Sequence, residues 1–227
     1  MNFVTLVGRL RRKCRVVGVS PTTLVNQPEE INRLADWINE AWLDIQLTKS
    51  DWNWMRSTFS FATVNGQPTY TPVQAGIAAN TFANWKRDSI RNYPTAAGIN
   101  GEIQMAYRGY DSWRDMYLFG ANRGNYSRPS EVTITPEKYL AFGPIAASGY
   151  TVTGDYYTVA SELAVDTDTP SLPAQFHMAI VYRAMMFYGA SEAAQEVFTE
   201  GETEFKRMMS RLTIDRLREV TTGGALA

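Results

Sequence analysis

Apolar residues near the amino terminus recur every three or four positions, the spacing that places them on one side of a helix. Over residues 1–17 this stripe comprises Phe3, Leu6, Val7, Leu10, Cys14 and Val17. The opposite side carries the basic residues Arg9, Arg11, Arg12, Lys13 and Arg15. The pattern therefore predicts an amphipathic helix with one buried side and one strongly basic side.

A second helix is predicted to begin near Pro28, because proline needs no N–H partner in the first turn of a helix. Glu29 and Glu30 follow it, where carboxylates are favoured by the positive end of the helix dipole. The apolar stripe of this helix is Ile31, Leu34, Ala35, Ile38, Ala41, Trp42 and Ile45.

The middle of the chain, from about residue 56 to 163, is rich in patterns typical of β-strands. An alternating run over residues 58–64 leads to Asn65-Gly66, a pair suited to a two-residue turn, and then to residues 67–71. This order predicts a β-hairpin. Further strands are predicted at 102–108, with Ile103, Met105 and Tyr107 on one face, and at 131–135, 139–142 and 150–159. A short helix is predicted at 111–119.

Helical spacing returns after Pro170 and Pro173. The stripe of a third major helix is Phe176, Ile180, Ala184 and Phe187, and flanking apolar residues indicate burial on several sides. Gly189 is predicted to end this helix and Ser191 to cap the next one. The two helices should form an antiparallel hairpin.

These elements predict an α+β fold, in which a helical bundle made of N-terminal and C-terminal helices carries an inserted β-rich segment. The helical part is expected at 1–55 and 164–227, and the β-rich insert at 56–163. An arrangement in which the insert is a separate domain stays open.

Composition narrows the function classes. The 227 residues carry 22 basic and 23 acidic side chains, a formal net charge of −1. Because the first acidic residue is Glu29, the basic start of the chain is set against an acidic remainder. Cys14 and His177 are the single cysteine and histidine. One chain therefore lacks the ligands of a structural zinc site, and we expect no metal, no cofactor, no enzymatic activity and no membrane span.

Individual polar residues are most simply explained by structural roles. We interpret His177 as a structural histidine, Cys14 as a buried thiol, and Asp166 with Asp168 as capping groups of a turn. The basic first helix has three open interpretations: a structural or interface helix, a nucleic-acid contact, or a membrane-surface or targeting segment.

Acidic residues follow one another every four positions in the last predicted helix, at Glu192, Glu196, Glu200 and Glu204. Like charges at this spacing repel mildly, so the row should face water or a basic partner. In a ring-shaped assembly it could instead contribute to a negative lumen.

Aromatic and basic residues alternate in the middle segment, and this combination suits protein interfaces or stacking on single-stranded nucleic acid. We favour a protein interface. The candidate interface residues over the whole chain are Arg9, Arg11, Arg12, Lys13, Trp85, Arg87, Tyr110, Trp113, Arg114, Arg216, Leu217, Arg218 and Leu226.

The order of several short segments carries a resemblance that spans residues 28–220. The segments are 39–46 (Asn-Glu-Ala-Trp-Leu-Asp-Ile-Gln), 52–55 (Trp-Asn-Trp-Met), 65–70 (Asn-Gly-Gln-Pro-Thr-Tyr), 128–130 (Arg-Pro-Ser), 142–144 (Phe-Gly-Pro), 155–157 (Asp-Tyr-Tyr), the stretch 163–173, and 179–182 (Ala-Ile-Val-Tyr). In this order they resemble the head-to-tail adaptor (connector) proteins of tailed bacteriophages, of the tail tubular protein A type.

This resemblance implies a structural virion protein at the neck between head and tail, assembled in the host cytoplasm. It implies a homo-oligomeric ring, commonly dodecameric, with the helical part toward the portal protein and the β-rich part toward tail or nozzle proteins. The C-terminal segment would reach into the portal, and DNA would pass through the central channel without sequence-specific binding. The alternative from the residues themselves is a nucleic-acid-binding module that uses the basic first helix.

Overall fold

The computed structural model describes residues 1–216. Their contacts divide the chain into two compact units, one made of Met1–Trp54 with the chain from Ala160 onward, and one made of Met55–Val159. The first unit is helical and the second contains the strands. The predicted α+β class is confirmed.

The α-helices of the described residues agree with the predicted order. They are α1 (Phe3–Lys13), α2 (Glu29–Leu47), α3 (Tyr110–Tyr117), α4 (Met178–Ser191) and α5 (Gln195–Arg216). In the helical unit, α4 packs against α1, α2 and α5. This central position explains why its apolar residues continue around most of the helix.

Helix α1 buries the predicted stripe as far as Cys14 but ends earlier than predicted, at Lys13. Arg15 turns left-handed at φ 57°. Its N–H donates to Arg12 O at 3.2 Å and that of Val16 to Arg11 O at 3.0 Å, the two bonds of a Schellman motif. Because the helix has ended, Val17 leaves the stripe and is 92% exposed. Its predicted burial is wrong.

The helical hairpin of α4 and α5 is present, but its corner differs from the prediction. Helix α4 continues through Gly189 and ends at Ser191, so Gly189 is not a stop and Ser191 is not a cap. A Cβ atom at Gly189 would lie 2.7 Å from the backbone nitrogen of Phe198. The glycine therefore permits the close approach of the two helices.

The β-rich unit has three sheets. Its strands are β1 (Arg56–Ala62), β2 (Thr69–Tyr70), β3 (Phe82–Trp85), β4 (Arg91–Pro94), β5 (Ile103–Gln104), β6 (Ala106–Tyr107), β7 (Tyr126–Ser127), β8 (Glu131–Ile134), β9 (Leu140–Gly143), β10 (Ile145–Ala146) and β11 (Tyr150–Thr158). The largest sheet has the order β1-β11-β4-β5, with β3 also on β11; a second has the order β2-β9-β8-β6, and β10 pairs with β7.

The predicted hairpin at Asn65-Gly66 is wrong, although the turn itself exists. Gly66 has φ 74° and the N–H of Gln67 donates to Val64 O at 3.2 Å, but Asn65 lacks the positive φ that a type I′ hairpin turn also requires. The strands on either side of the turn do not pair with each other. Strand β1 pairs antiparallel with β11 along its whole length, and β2 pairs with β9. The turn therefore carries the chain from one sheet to another.

The predicted strand at 102–108 is also divided, into β5 and β6. Met105 lies between them and is buried, whereas Ile103 and Tyr107 are exposed, so the predicted common face is wrong. Strands at 131–135, 139–142 and 150–159 and the short helix at 111–119 are confirmed within one or two residues. The main apolar core of this unit lies under β11, β8 and β9 and includes Phe59, Ile90, Val132, Phe142 and Val152.

Candidate interaction surfaces

The five basic residues of the amino-terminal segment fall into two groups. Arg9, Arg12 and Arg15 are exposed, and no ion pair joins them to any residue in the range 1–216. Arg11 and Lys13 are already bound within the chain. Lys13 Nζ lies 2.6 Å from Glu200 Oε1 on α5, a hydrogen bond that raises the pKa of Lys13. Three of the five predicted basic residues therefore remain exposed and without an ion pair in the described chain.

Arg11 was predicted on the exposed side, but it is buried at 8% exposure. Its guanidinium donates to Val16 O at 2.8 Å and also to Gly18 O. The reason is the early end of α1, which brings the following loop back over this side of the helix. Arg12 adds a bond of 2.8 Å to Ser20 Oγ.

The braced loop presents an apolar tip that the sequence pattern did not reveal. Val17 is 92% exposed and Val19 is 90% exposed, on either side of Gly18. Buried Arg11 binds the carbonyl oxygens of Val16 and Gly18 and so orders the loop. The ordered loop leaves Val17 and Val19 exposed to solvent. Exposed apolar side chains on an ordered loop are typical of contact sites.

The predicted acidic row begins before α5, because Glu192 lies at the corner that follows α4, and three of its four members contact basic groups of their own chain. Glu192 pairs with Arg33 of α2, Glu200 with Lys13, and Glu204 with Arg207. These three carboxylates therefore meet basic side chains of the same chain, and a basic partner molecule for the row stays a prediction. A negative ring lumen built from these residues stays a prediction.

A second acidic region lies at the start of α2. Glu29, Glu30 and Glu192 line a cavity of about 370 Å³ together with Arg33 and Tyr188. Burial is the main cause that raises the pKa of Tyr188, and Glu192 and Glu30 add to the rise. The cavity therefore combines three carboxylates with one arginine.

The two tryptophans proposed as interface residues belong to the unit's own interior. Trp113 is fully buried beside Tyr110 and Tyr117, and Trp85 is 5% exposed with its indole N–H on Lys138 O at 2.8 Å. Each ring forms the apolar side of a short element, which explains its burial. The prediction that Trp85 and Trp113 are exposed interface anchors is therefore corrected.

Around these buried rings the β-rich unit exposes cationic and aromatic side chains together. Arg87 lies over the ring of Tyr107 at 5.1 Å, and both line a small cavity of about 270 Å³ whose floor includes Trp85. On α3, exposed Arg114 lies 5.8 Å from the ring of Phe119. Tyr110 is half-buried.

A bidentate ion pair fixes α3 on its sheet. Arg108 Nε and Nη2 both lie 2.5 Å from Glu131 oxygens, and Tyr117 donates to Glu131 Oε2 at 3.1 Å. The bond from Arg108 is the main cause that lowers the pKa of Glu131. These bonds hold α3 in a fixed position on the sheet, and with it the exposed side chain of Arg114.

The predicted structural roles of the remaining polar residues are confirmed. His177 is 1% exposed, with Nε2 2.8 Å from Leu172 O, and burial lowers its pKa. Burial raises the pKa of the Cys14 thiol to about 12. Asp168 accepts from the N–H groups of Ala164 and Val165, and Asp166 from that of Leu24.

One polar cluster was missed by the sequence reasoning. Arg183 of α4 donates to Asp44 Oδ2 at 2.7 Å and lies over the rings of Phe187, at 4.8 Å, and Phe205, at 5.7 Å. It is the single charged residue of α4, and an isolated charge in an apolar helix was the signal that could have found it.

Leu217, Arg218 and Leu226 lie outside the described residues, as does the side chain of Arg216. Within residues 1–216, no group of three or more His, Cys, Asp or Glu side chains is arranged to hold a metal ion. No helix in that part of the chain is long and apolar enough to cross a bilayer.

A family model described as SU10 adaptor protein matches residues 1–226 of the chain. No curated protein matches it.

Proposed function

Because the chain belongs to the SU10 adaptor protein family, we propose that it acts as one subunit of a ring between the portal and the tail. The family is one of structural phage proteins at the head-to-tail junction, and it implies contacts with portal and tail proteins. The finer assignments are our proposal: a closed ring of about twelve copies with a central channel for DNA, and assembly in the host cytoplasm. We propose no catalytic step for this role.

The observation that carries the proposal is the division into two units with different surfaces, in a chain matched over its whole length by an adaptor family. An adaptor has to bind one partner at each end, and two units of different chemistry suit that task. We assign the helical unit to the portal and the β-rich unit to the tail or nozzle proteins.

The β-rich unit offers suitable anchors for a tail protein. Arg87 with Tyr107, and Arg114 with Phe119, are exposed pairs of the residue types enriched at interface hot spots. Met116, 40% exposed, extends the second pair on α3. We propose that residues 217–227, including Leu217, Arg218 and Leu226, engage the portal.

The test is electron microscopy of the full chain mixed with the portal protein of the same phage. A ring at the narrow end of the portal, with the β-rich unit distal, is the expected result. A chain that stays monomeric in the presence of the portal would contradict the proposal. Labelling of the β-rich unit at exposed Arg123, replaced by cysteine, distinguishes the two orientations.

A second candidate function rests on the exposed arginines of the amino-terminal segment, which could contact DNA phosphates. Three contacts per chain predict that the logarithm of the binding constant falls with the logarithm of salt concentration, with a slope of about −2.7. Replacing Arg9 and Arg12 should reduce that slope. Binding that does not depend on salt would exclude this function.

A further inference from the structure

The helical unit pairs many of its charges internally, and the pairs join different helices. Three ion pairs do this among residues 1–216: Lys13 with Glu200, Arg33 with Glu192, and Asp44 with Arg183. The exposed charges that are left over therefore indicate what the subunit offers to other molecules.

Two groups of these left-over charges, one basic and one acidic, lie along α1 with the residue just after it and along α2. We call Arg9, Arg12 and Arg15 the basic stripe; all three are exposed. We call Glu29, Asp36 and Glu40 the acidic stripe; spacings of seven and four residues place them on one side of α2, and all three are exposed. Within residues 1–216, no ion pair involves any of these six side chains.

The backbone at Arg15 shows that its side chain is retained at a cost. Arg15 occupies the left-handed position that follows a helix, where glycine is the usual residue because a Cβ atom is strained there. Its side chain is exposed and has no ion-pair partner in the described chain. The Arg15 guanidinium is therefore available to a group outside the subunit.

Both stripes continue into exposed apolar residues. Beyond Arg15 the braced loop presents Val17 and Val19. On α2 the acidic stripe continues along the same side to Leu47, which is 73% exposed. The first surface therefore combines basic and apolar side chains. The second combines acidic and apolar side chains and also carries exposed Arg33, whose charge is paired with Glu192.

We propose that the basic stripe of one subunit docks on the acidic stripe of the next copy of this chain in the ring. The inference rests on the proposed function, since it names the contact that closes that ring. Two different surfaces of opposite sign favour head-to-tail contact, which generates rings when the rotation closes. A two-fold contact centred on either stripe would bring like charges together, which is unfavourable.

The test reverses the charge of each stripe in a separate variant and then mixes the two variant proteins. The variants are R9E/R12E and D36K/E40K, each assembled on the portal at near-physiological salt and examined by electron microscopy. Each variant alone should fail to form the ring. A mixture of equal amounts should restore it, because each reversed stripe then meets a complementary neighbour. R123E makes the same charge change per residue in the β-rich unit and should assemble normally.

The outcomes separate the inference from the function. If the wild-type chain forms rings and both variants also do so, the stripes are not the contact and the inference is wrong while the function stands. If the mixture fails although both variants remain folded by circular dichroism, the inference is also wrong. If R9E/R12E assembles but loses DNA binding, the basic stripe contacts DNA instead. Absence of wild-type rings on the portal contradicts the function itself.

Discussion

Replacing Arg15 by glycine should stabilise the free, unassembled subunit. Arg15 has φ 57°, a conformation that costs an ordinary L-residue about 1–2 kcal/mol relative to glycine. Glycine also makes the unfolded chain more flexible, and this extra conformational entropy offsets about 0.5–1 kcal/mol of the gain. The two bonds of the Schellman motif involve only backbone atoms and persist in the variant. The net expected gain lies between about 0 and 1.5 kcal/mol, with a midpoint of about 0.75 kcal/mol.

The gain should be visible as a rise in Tm of about 1–4 °C for a protein of this size, and as slower hydrogen exchange at the end of α1. The matched control is R15A, which removes the same long side chain but keeps a Cβ atom in the left-handed region. R15A should therefore be no more stable than the wild type. If R15G and R15A have equal stability, backbone strain is not stored at this position and the reasoning is refuted.

Three further changes test individual contacts. Gly189→Ala should lower the free energy of unfolding, measured in urea, by about 1–3 kcal/mol, because the new Cβ atom would clash with the backbone of Phe198. The control G124A should leave stability unchanged, because a Cβ atom at Gly124 has no neighbour within 4 Å. Arg11→Met should cost about 1–3 kcal/mol and speed protease cleavage at residues 16–20, whereas R9M should do neither. Burial holds the pKa of His177 below its ordinary value of 6.5. The unfolded chain therefore binds a proton more readily than the folded one, so stability is greatest above pH 6.5 and declines as the pH falls below it. H177Q should lose this part of the pH dependence of unfolding.

Local patterns in the sequence were sufficient where one element decides its own structure. The stripes of α1 and α2, the apolar character of α4, and the turn at Asn65-Gly66 depend on neighbours within a few residues. The structural roles of Cys14 and His177 followed from their positions in apolar helices. The order of short segments was sufficient to identify the adaptor resemblance, because that order is a property of the sequence and needs no tertiary contacts.

Contacts between distant segments were beyond such patterns. The partner of β1 is β11, about ninety residues away, and a turn signal reports only that the chain reverses. Gly189 looked like a helix stop because its closeness to Phe198 arises only when two helices pack.

The candidate surface shows the same division. Composition alone established that the amino-terminal segment is basic and the remainder acidic. Only the tertiary structure decided that Arg11 and Lys13 are bound inside the chain and that Trp85 and Trp113 are buried. Charge is a property of each residue, but whether a charge or a ring is free for a partner depends on which other segments fold against it.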